Sequence, residues 1–478
     1  AAGRIFRNRS AYAGAGTGRL YSSWTTTNQS ADAELYSDLK TLRARSRELE
    51  RNNDYARKFL KIVGKNVVGA NGVTLQMRVK NKNGEPDNVA NSIIEQGWKE
   101  WCAKGNCDVS GTLAMHDIQR LIVTHMARDG EILVRRVRSS AFPFGYALQL
   151  IEADHLDERY NDTLPNGNKI KMGIEIDPWG KPVAYHLFKN HPGDTMFADY
   201  QYGERERIPA DEILHLFLRE RVSQSRGLPW MHAAMTRMNM QGGYEEAELV
   251  AARTGAAKMG FYYNSTSSQY AGDDTEDGSP VDDEATPGSF RVLPEGWQFQ
   301  PYDPTHPTTA YRDFVKAISR GIASGLDVSY ESLANDRENV NYSSIRAGLL
   351  DERDTWRMLH AWMVEHFLRP VFAEWLEMAL LTQAVRLPFS GYQKFNAPYF
   401  MPRGFQWVDP KAEMIANSLA ISAGLDTASN IAAQRGMDIE EIYQQLAREK
   451  ALREKYGITT TDDAKIAKLI MEAEGAQA

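Results

Sequence analysis

The spacing of apolar residues changes twice along this chain, and these changes limit the folds open to it. Apolar side chains recur every three to five positions over residues 32–68, as at Leu49, Phe59 and Val63, which predicts helix. From Glu131 the period becomes two, and helical spacing returns after Pro229. Because helices and strands bury different sets of positions, this order predicts an α+β fold that is mostly helical.

The periodicity predicts the following elements. Helices are expected over residues 32–68, 89–104, 115–128, 230–257, 311–325, 343–383, 412–424, 427–436 and 439–456, with Pro370 bending the longest. Strands of one small sheet are expected over residues 131–138, 146–151, 173–177, 182–188 and 212–217, with a tight turn at 177–180. Further extended segments are expected at residues 259–263, 290–293 and 297–299.

Length, charge and cysteine content narrow the class of protein. A chain of 478 residues is too long for one hydrophobic core, so at least two units are expected. Residues 1–10 carry three arginines but no apolar block, so we expect no signal peptide and maturation in a cytoplasm. No apolar run is long enough to cross a bilayer. Cys102 and Cys107 supply only half of a zinc site and are expected to be free thiols.

An acidic segment at residues 265–289 is the strongest candidate for a metal site. Four of its residues occupy the first, fifth, sixth and twelfth positions of an EF-hand loop: Asp273, Asp277, Gly278 and Glu284. Thr275, Pro280 and Val281 break the ligand pattern, and no flanking helices are visible. A solvated acidic loop is the favoured interpretation, and calcium binding stays open as the alternative.

The Asp129-Gly130-Glu131 motif is the strongest candidate for paired catalytic carboxylates. The intervening Gly130 favours a turn here, so these two side chains are not expected to converge. The glycine-rich residues 14–18 lack the Lys-Ser/Thr ending of a phosphate-binding loop. We therefore expect no catalytic residue, no metal and no cofactor.

Short motifs stand in a fixed order along most of the chain. They are RARSRELERNNDYA (43–56), NVVG (66–69), DGEILV (129–134), IEADHL (151–156), GIEID (173–177), YDPTHP (302–307), IASGLDVSYE (322–331), NYSSIRA (341–347), DPKAE (409–413), GLDT (424–427) and GMD (436–438). Each motif alone is weak evidence, but the ordered set is specific. Together they resemble the lambda-like family of phage portal proteins.

The resemblance implies a portal fold with a wing, a two-helix stem, a small β-containing clip, a tunnel loop, a long kinked helix and a helical crown. The implied segments are a loose basic arm (1–30), the wing (31–225), the first stem helix (226–257), the clip (258–308), the second stem helix (309–326), the tunnel loop (327–342), the long kinked wing helix (343–384), and an extended segment with the crown helices (385–478).

The resemblance also implies a mechanical, non-enzymatic function. About twelve copies would form a ring at the unique vertex of a phage capsid, assembled in the host cytoplasm and retained in the virion. Double-stranded DNA would enter and leave through the ring. The implied protein partners are other copies of the chain, the terminase large subunit, a head–tail adaptor protein and the major capsid protein, and no membrane is involved.

Two groups of residues are implied to be functional. The DNA-facing residues of the tunnel loop would be Asn335, Asp336, Arg337, Glu338, Asn339 and Asn341. The residues of the clip that dock partners would be Asp273, Asp274, Asp277, Asp282, Asp283 and Glu284. The net charge of −7 favours passage over gripping, because a channel lined by acidic and neutral groups repels DNA and lowers friction.

Two other classes of protein stay open on the sequence. Acidic residues brought together in the fold would favour a metal-dependent nuclease that processes DNA. A stable monomer or dimer in solution would favour a head adaptor that never forms a ring.

Overall fold

The computed structural model describes residues 22–196, 203–256, 260–264, 297–301, 311–338, 342–405, 410–435 and 437–456, with Ala15 and Arg19 before them. Most of the basic arm, the acidic segment 265–289, the extended segment 290–293, and Asn339 and Asn341 lie outside these residues. The six acidic residues expected in the clip therefore lie outside them too.

The described part of the chain is mostly helical. Its helices are α1 (Ala31–Asn52), α2 (Asp54–Val67), α3 (Asn88–Trp101), α4 (Met115–Asp129), α5 (Met235–Ala256), α6 (Tyr311–Gly325), α7 (Tyr330–Ala334), α8 (Tyr342–Met363), α9 (Arg369–Leu381), α10 (Tyr392–Phe395), α11 (Pro410–Ser422), α12 (Ala428–Gln434) and α13 (Ile439–Tyr456). None of the helices found there is both long and apolar enough to cross a bilayer.

The strands are short and pair antiparallel. They are β1 (Thr74–Met77), β2 (Glu131–Arg138), β3 (Tyr146–Ile151), β4 (Asp162–Thr163), β5 (Lys169–Lys171), β6 (Ile174–Ile176), β7 (Pro182–Phe188), β8 (Arg205–Pro209), β9 (Ile213–Phe217), β10 (Gly260–Asn264), β11 (Trp297–Pro301) and β12 (Pro398–Met401). The strand orders are β3-β2-β9 and β4-β5-β6-β7-β8, and β1 pairs with β12 and β10 with β11.

The prediction of one small sheet was wrong, because the five expected strands divide between two sheets. Strand β9 pairs with β2, while β6 and β7 belong to the five-stranded sheet. Strands β4 and β5 are only two and three residues long, and β8 exposes most of its charged sequence. These strands were missed because none of them shows an alternating apolar pattern.

The helix expected over residues 32–68 is interrupted at Asn53. Its backbone is extended there, and its side chain accepts a hydrogen bond of 3.0 Å from the N–H of Ala56. An asparagine that caps a new helix in this way ends the preceding one. The expected interruption near Pro370 is a π turn at Val364–Leu368, after which α9 begins at Arg369. Pro370 thus follows directly on the π turn and lies in the first turn of α9.

A cluster of aromatic side chains joins the N-terminal helices to α9. The ring centroid of Trp98 lies 5.0 Å from those of both Trp101 and Trp375. The Trp101 indole is fully buried and donates a hydrogen bond of 2.9 Å to the carbonyl of Tyr146 in β3. Trp101 on α3 therefore contacts both Tyr146 in strand β3 and Trp375 in the distant helix α9.

Replacing Trp101 with alanine should lower the free energy of unfolding by about 3–5 kcal/mol, because the cavity opens at this three-way contact. Denaturant unfolding followed by circular dichroism measures the change. Trp179→Ala is the matched control, since Trp179 is 94% exposed at the β6–β7 turn and its removal should cost under about 0.5 kcal/mol. Equal effects of the two substitutions would contradict this description of the core.

Candidate functional site

The segment that follows α6, residues 326–338, is held by hydrogen bonds to its neighbours. Ser329 caps the short helix α7, and Asn335 ends it in the left-handed conformation. The carboxylate of Glu352 on α8 accepts hydrogen bonds from the hydroxyls of Ser329 at 2.7 Å and Ser332 at 3.0 Å. This post-α6 segment is therefore an ordered polar turn fixed to α8 by a buried carboxylate.

Asp336 lies at the centre of the post-α6 segment. Its carboxylate accepts hydrogen bonds from the N–H of Glu338 at 2.9 Å and from the hydroxyl of Tyr330 at 2.8 Å, and Lys316 on α6 lies at 3.1 Å. These contacts lower the pKa of Asp336 to about 2, with the Glu338 N–H the largest contribution. Burial, and then the bond to Asp336, raises the pKa of Tyr330 to about 12.

The structure describes four of the six residues expected to face DNA. Glu338 forms an ion pair with Arg312, and Asp336 is bound as above. Asn335 accepts a hydrogen bond of 2.9 Å from the ammonium of Lys58 on α2, and Arg337 is exposed. The two carboxylates are therefore engaged within the chain, whereas Arg337 is available to a ligand.

The Asp129-Gly130-Glu131 motif lies in the protein interior, which the sequence did not indicate. Glu131 is fully buried and accepts hydrogen bonds from Arg226 at 2.5 Å, Arg43 at 2.9 Å and the N–H of Gly227 at 2.8 Å. His215 on β9 lies 2.9 Å from Oε2 of Glu131, the oxygen that also accepts the Gly227 N–H. These residues form the Glu131 hub, which joins α1, β2, β9 and the segment leading to α5.

Asp129 is the centre of a second set of ion pairs beside the Glu131 hub. Arg47 and Arg128 each lie 2.7 Å from its carboxylate, and His125 lies at 3.0 Å. Burial opposes ionisation, but the hydrogen bonds from these neighbours hold the pKa of Asp129 well below its usual range. The two carboxylates pair with different arginines, Asp129 with Arg47 and Arg128 and Glu131 with Arg43 and Arg226. Each is already neutralised by arginines, so the pair lacks the open geometry that a catalytic metal needs.

Glu152, Asp154 and His191 offer ligand atoms within 4.8 Å of one another. Arg47 already pairs with Asp154 at 2.5 Å and lies 3.7 Å from Glu152. The Nδ1 atom of His191 accepts the N–H of Gly193 at 3.0 Å, which leaves the proton on Nε2, the atom that faces the carboxylates. The arrangement is thus an ion-pair cluster and does not present a set of free metal ligands.

Cys102 and Cys107 are free thiols, as expected. The described part of the chain is mostly helical, and its buried acids Asp129 and Glu131 are paired with arginines. Residues 17–360 match the family described as "Phage portal protein, lambda family". The chain belongs to that family, and the predictions of a portal protein and of a mostly helical α+β fold are confirmed.

Several known proteins are similar to this chain. A probable portal protein of Halomonas phage phiHAP-1 is 37% identical over 447 residues, covering 92% of this chain and 86% of the relative. Portal protein B of Escherichia phage lambda is 23% identical, covering 93% and 90%. A solved neck of an empty gene transfer agent particle is 13% identical with a TM-score of 0.45, covering 84% and 93%. The family places the chain in the phage particle as a portal protein.

Replacing Glu131 with glutamine should lower the free energy of unfolding by about 3–5 kcal/mol, because Arg43 and Arg226 lose the carboxylate that compensates their burial. Chemical denaturation measures the decrease. Glu204→Gln is the matched control, since its pair with Lys189 is about half exposed and contributes under about 1 kcal/mol. A wild-type stability of the Glu131→Gln variant would show that the hub is not structural.

Stability should fall as the pH falls. The pKa values of Asp129 and Glu131 are lowered by their partners despite burial, and burial lowers the pKa of His215. Each group binds protons more weakly in the folded state, so its stabilisation is complete above its unfolded pKa and is lost on acidification. The His215 contribution should decline below about pH 6.5, and those of the acids below about pH 4. Denaturation at several pH values measures this, and a His215→Gln variant should have a flatter profile between pH 5 and 7.

Proposed function

We propose that copies of this chain close into a ring of about twelve subunits that encloses a channel for double-stranded DNA at one vertex of the phage capsid. The ring would admit DNA during packaging, release it at ejection, and dock the terminase and a head–tail adaptor without catalysing a reaction itself. The observation that carries this proposal is the family match over residues 17–360, supported by the 37% identity to a probable portal protein.

The two long helices on either side of the proposed clip support the assignment of a stem. Helices α5 and α6 are joined by a hydrogen bond of 3.2 Å between Gln241 and Ser319 and by the ring of Tyr244 against Phe314. Beyond them, β10 and β11 pair as the two strands of a proposed clip. The acidic residues between these strands remain the proposed docking surface for terminase and adaptor.

The outer face of α5 supports contact with a second copy. Leu249 is 64% exposed and Val250 is 54% exposed, although both lie in the last two turns of a long helix. Adjacent exposed apolar residues of this kind are expected where another protein surface buries them. In a closed ring, each subunit would cover this face with a different surface of its neighbour.

The proposed tunnel loop combines a fixed base with an exposed cation. Asp336 and Glu338 hold the turn through Lys316 and Arg312, so they would act on its shape. Arg337 is the described residue of the turn that would contact DNA phosphates. This division of roles refines the expectation that all six polar residues face DNA.

Purified protein should have a mass of about twelve times the 53.9 kDa subunit. Leu249→Glu combined with Val250→Glu should shift the mass distribution toward single subunits, because charges are costly in a buried contact. Mass photometry and negative-stain images measure the outcome.

Val89→Glu is the control for the ring experiment. Val89 is 71% exposed in the first turn of α3, where an acidic side chain is favourable to the helix. This variant should keep the wild-type mass. A wild-type protein that stays monomeric or dimeric at all salt concentrations would contradict the ring and favour an adaptor.

A further inference from the structure

A continuous band of positive charge lies on and around α2. Its nine cations are Arg51, Arg57, Lys58, Lys61, Lys65, Arg120, Arg337, Arg353 and Arg403. They line two adjoining grooves that share Lys61 and Lys65, one on each side of the helix. We call this surface the α2 basic band. It contrasts with the net charge of −7 of the whole chain.

The sequence of α2 divides the helix into two faces. One face is buried and includes Phe59, Ile62 and Val63. The other places Arg57, Lys61 and Lys65 four residues apart, so their side chains project from one side of the helix. At 1.5 Å per residue this row of cations extends over about 12 Å. The band is therefore built on a rigid, internally packed helix.

The first groove runs between α2, the post-α6 segment, α8 and residues 403–405, and encloses about 500 Å³. Six of its lining residues are cations and two are acids, Glu331 and Glu352. Glu352 is buried and holds the hydroxyls of Ser329 and Ser332, so its charge faces the turn. The groove therefore presents a large excess of positive charge.

Four cations of this band lack a counter-ion from the described part of the protein. Across the described ranges, no acidic side chain forms a salt bridge with Arg57, Lys61, Lys65 or Arg337. Glu50, which borders the second groove, is paired with Arg128 at 3.1 Å. By contrast, the arginines of the Glu131 hub are fully paired. Like charges that are held together without counter-ions attract an external anion.

One end of the groove is arranged around an aromatic ring. The guanidinium groups of Arg353 and Arg403 lie 5.3 Å and 5.4 Å from the ring centroid of Phe405, and His360 stacks on that ring at 6.0 Å. Partial burial lowers the pKa of Arg353; the nearby carboxylate of Glu413 opposes this shift, and the charges of Arg357 and Arg403 add to it. Two arginines are thus held beside the same aromatic ring at one end of the groove.

We propose that the α2 basic band binds the phosphodiester backbone of duplex DNA without regard to base sequence. The inference rests on the proposed portal function and extends the proposed DNA contact from Arg337 in the tunnel loop to the cations of α2 and to Arg353 and Arg403. Nucleic acid is favoured over an acidic protein because lysine is depleted at the centres of protein interfaces, whereas DNA-binding surfaces are strongly positive. Three of the cations on α2 are lysines, namely Lys58, Lys61 and Lys65.

The test compares assembled wild-type protein with a Lys61→Gln, Lys65→Gln double variant. Binding of short fluorescent duplexes of unrelated sequence is measured over a range of salt concentrations. The double variant should bind every duplex more weakly, and the slope of log affinity against log salt should fall by about 0.9 for each phosphate that the variant no longer neutralises. The matched control is Lys99→Gln with Lys104→Gln, two exposed lysines outside the band, which should bind as the wild type does.

Each outcome bears on one proposal or the other. Rings of the double variant that bind DNA as the wild type does would overturn the DNA surface and leave the ring proposal intact. A double variant that fails to form rings while its subunits bind DNA normally would identify the band as a subunit interface. Stronger band-dependent binding of polyglutamate than of duplex would favour an acidic protein partner. A wild-type protein that forms no ring would contradict the proposed function, whatever its affinity for DNA.

Discussion

The buried carboxylate of Glu131 is the interaction on which most of the described fold depends. It receives Arg43 from α1, His215 from β9, and Arg226 with the Gly227 N–H from the segment that leads to α5. Burying these charges is costly unless every partner is present. The packing is also close: a side chain on Gly130, whose φ is +91°, would overlap the backbone of Gly227 and Leu228. The helical body, the central sheet and the start of α5 are therefore fixed together by one acid.

The helix pair α5–α6 is attached to the body by carboxylates at both of its inner ends. Glu131 accepts a hydrogen bond from the backbone N–H of Gly227 before α5. The backbone N–H of Trp230 donates to the carbonyl of Ala127. After α6, Glu352 on α8 fixes the turn through Ser329 and Ser332. Because hydrogen bonds to a buried charge are directional and strong, both attachments favour a fixed orientation of the pair. The proposed stem would need such fixed ends to keep its place around a channel.

Periodicity was sufficient to predict most elements of the fold but could not assign their partners. It gave β2, β3, β7, α6 and α13 with the observed bounds, because each has apolar residues at regular spacing in the sequence. Periodicity could not show that β2 and β6 belong to different sheets, because sheet membership depends on pairing between distant segments. The Glu131 hub was also missed, although one signal was present. Arg43 occupies the buried row of α1 that contains Leu39 and Leu49, and an arginine in such a row requires an acidic partner in the core.

Net charge proved a poor guide to the candidate DNA surface, and the reason is spatial. The whole-chain value of −7 sums paired acids, such as Asp129, and cations that form no salt bridge within the described residues, such as Lys61 and Lys65. Beyond about 10 Å, salt screens such charges, so a polyanion responds to the local surface more than to the sum. A channel wall can therefore be repulsive over most of its length and still hold DNA at one band. The spacing of Arg57, Lys61 and Lys65 was visible in the sequence, but only the fold brings Arg337, Arg353 and Arg403 beside them.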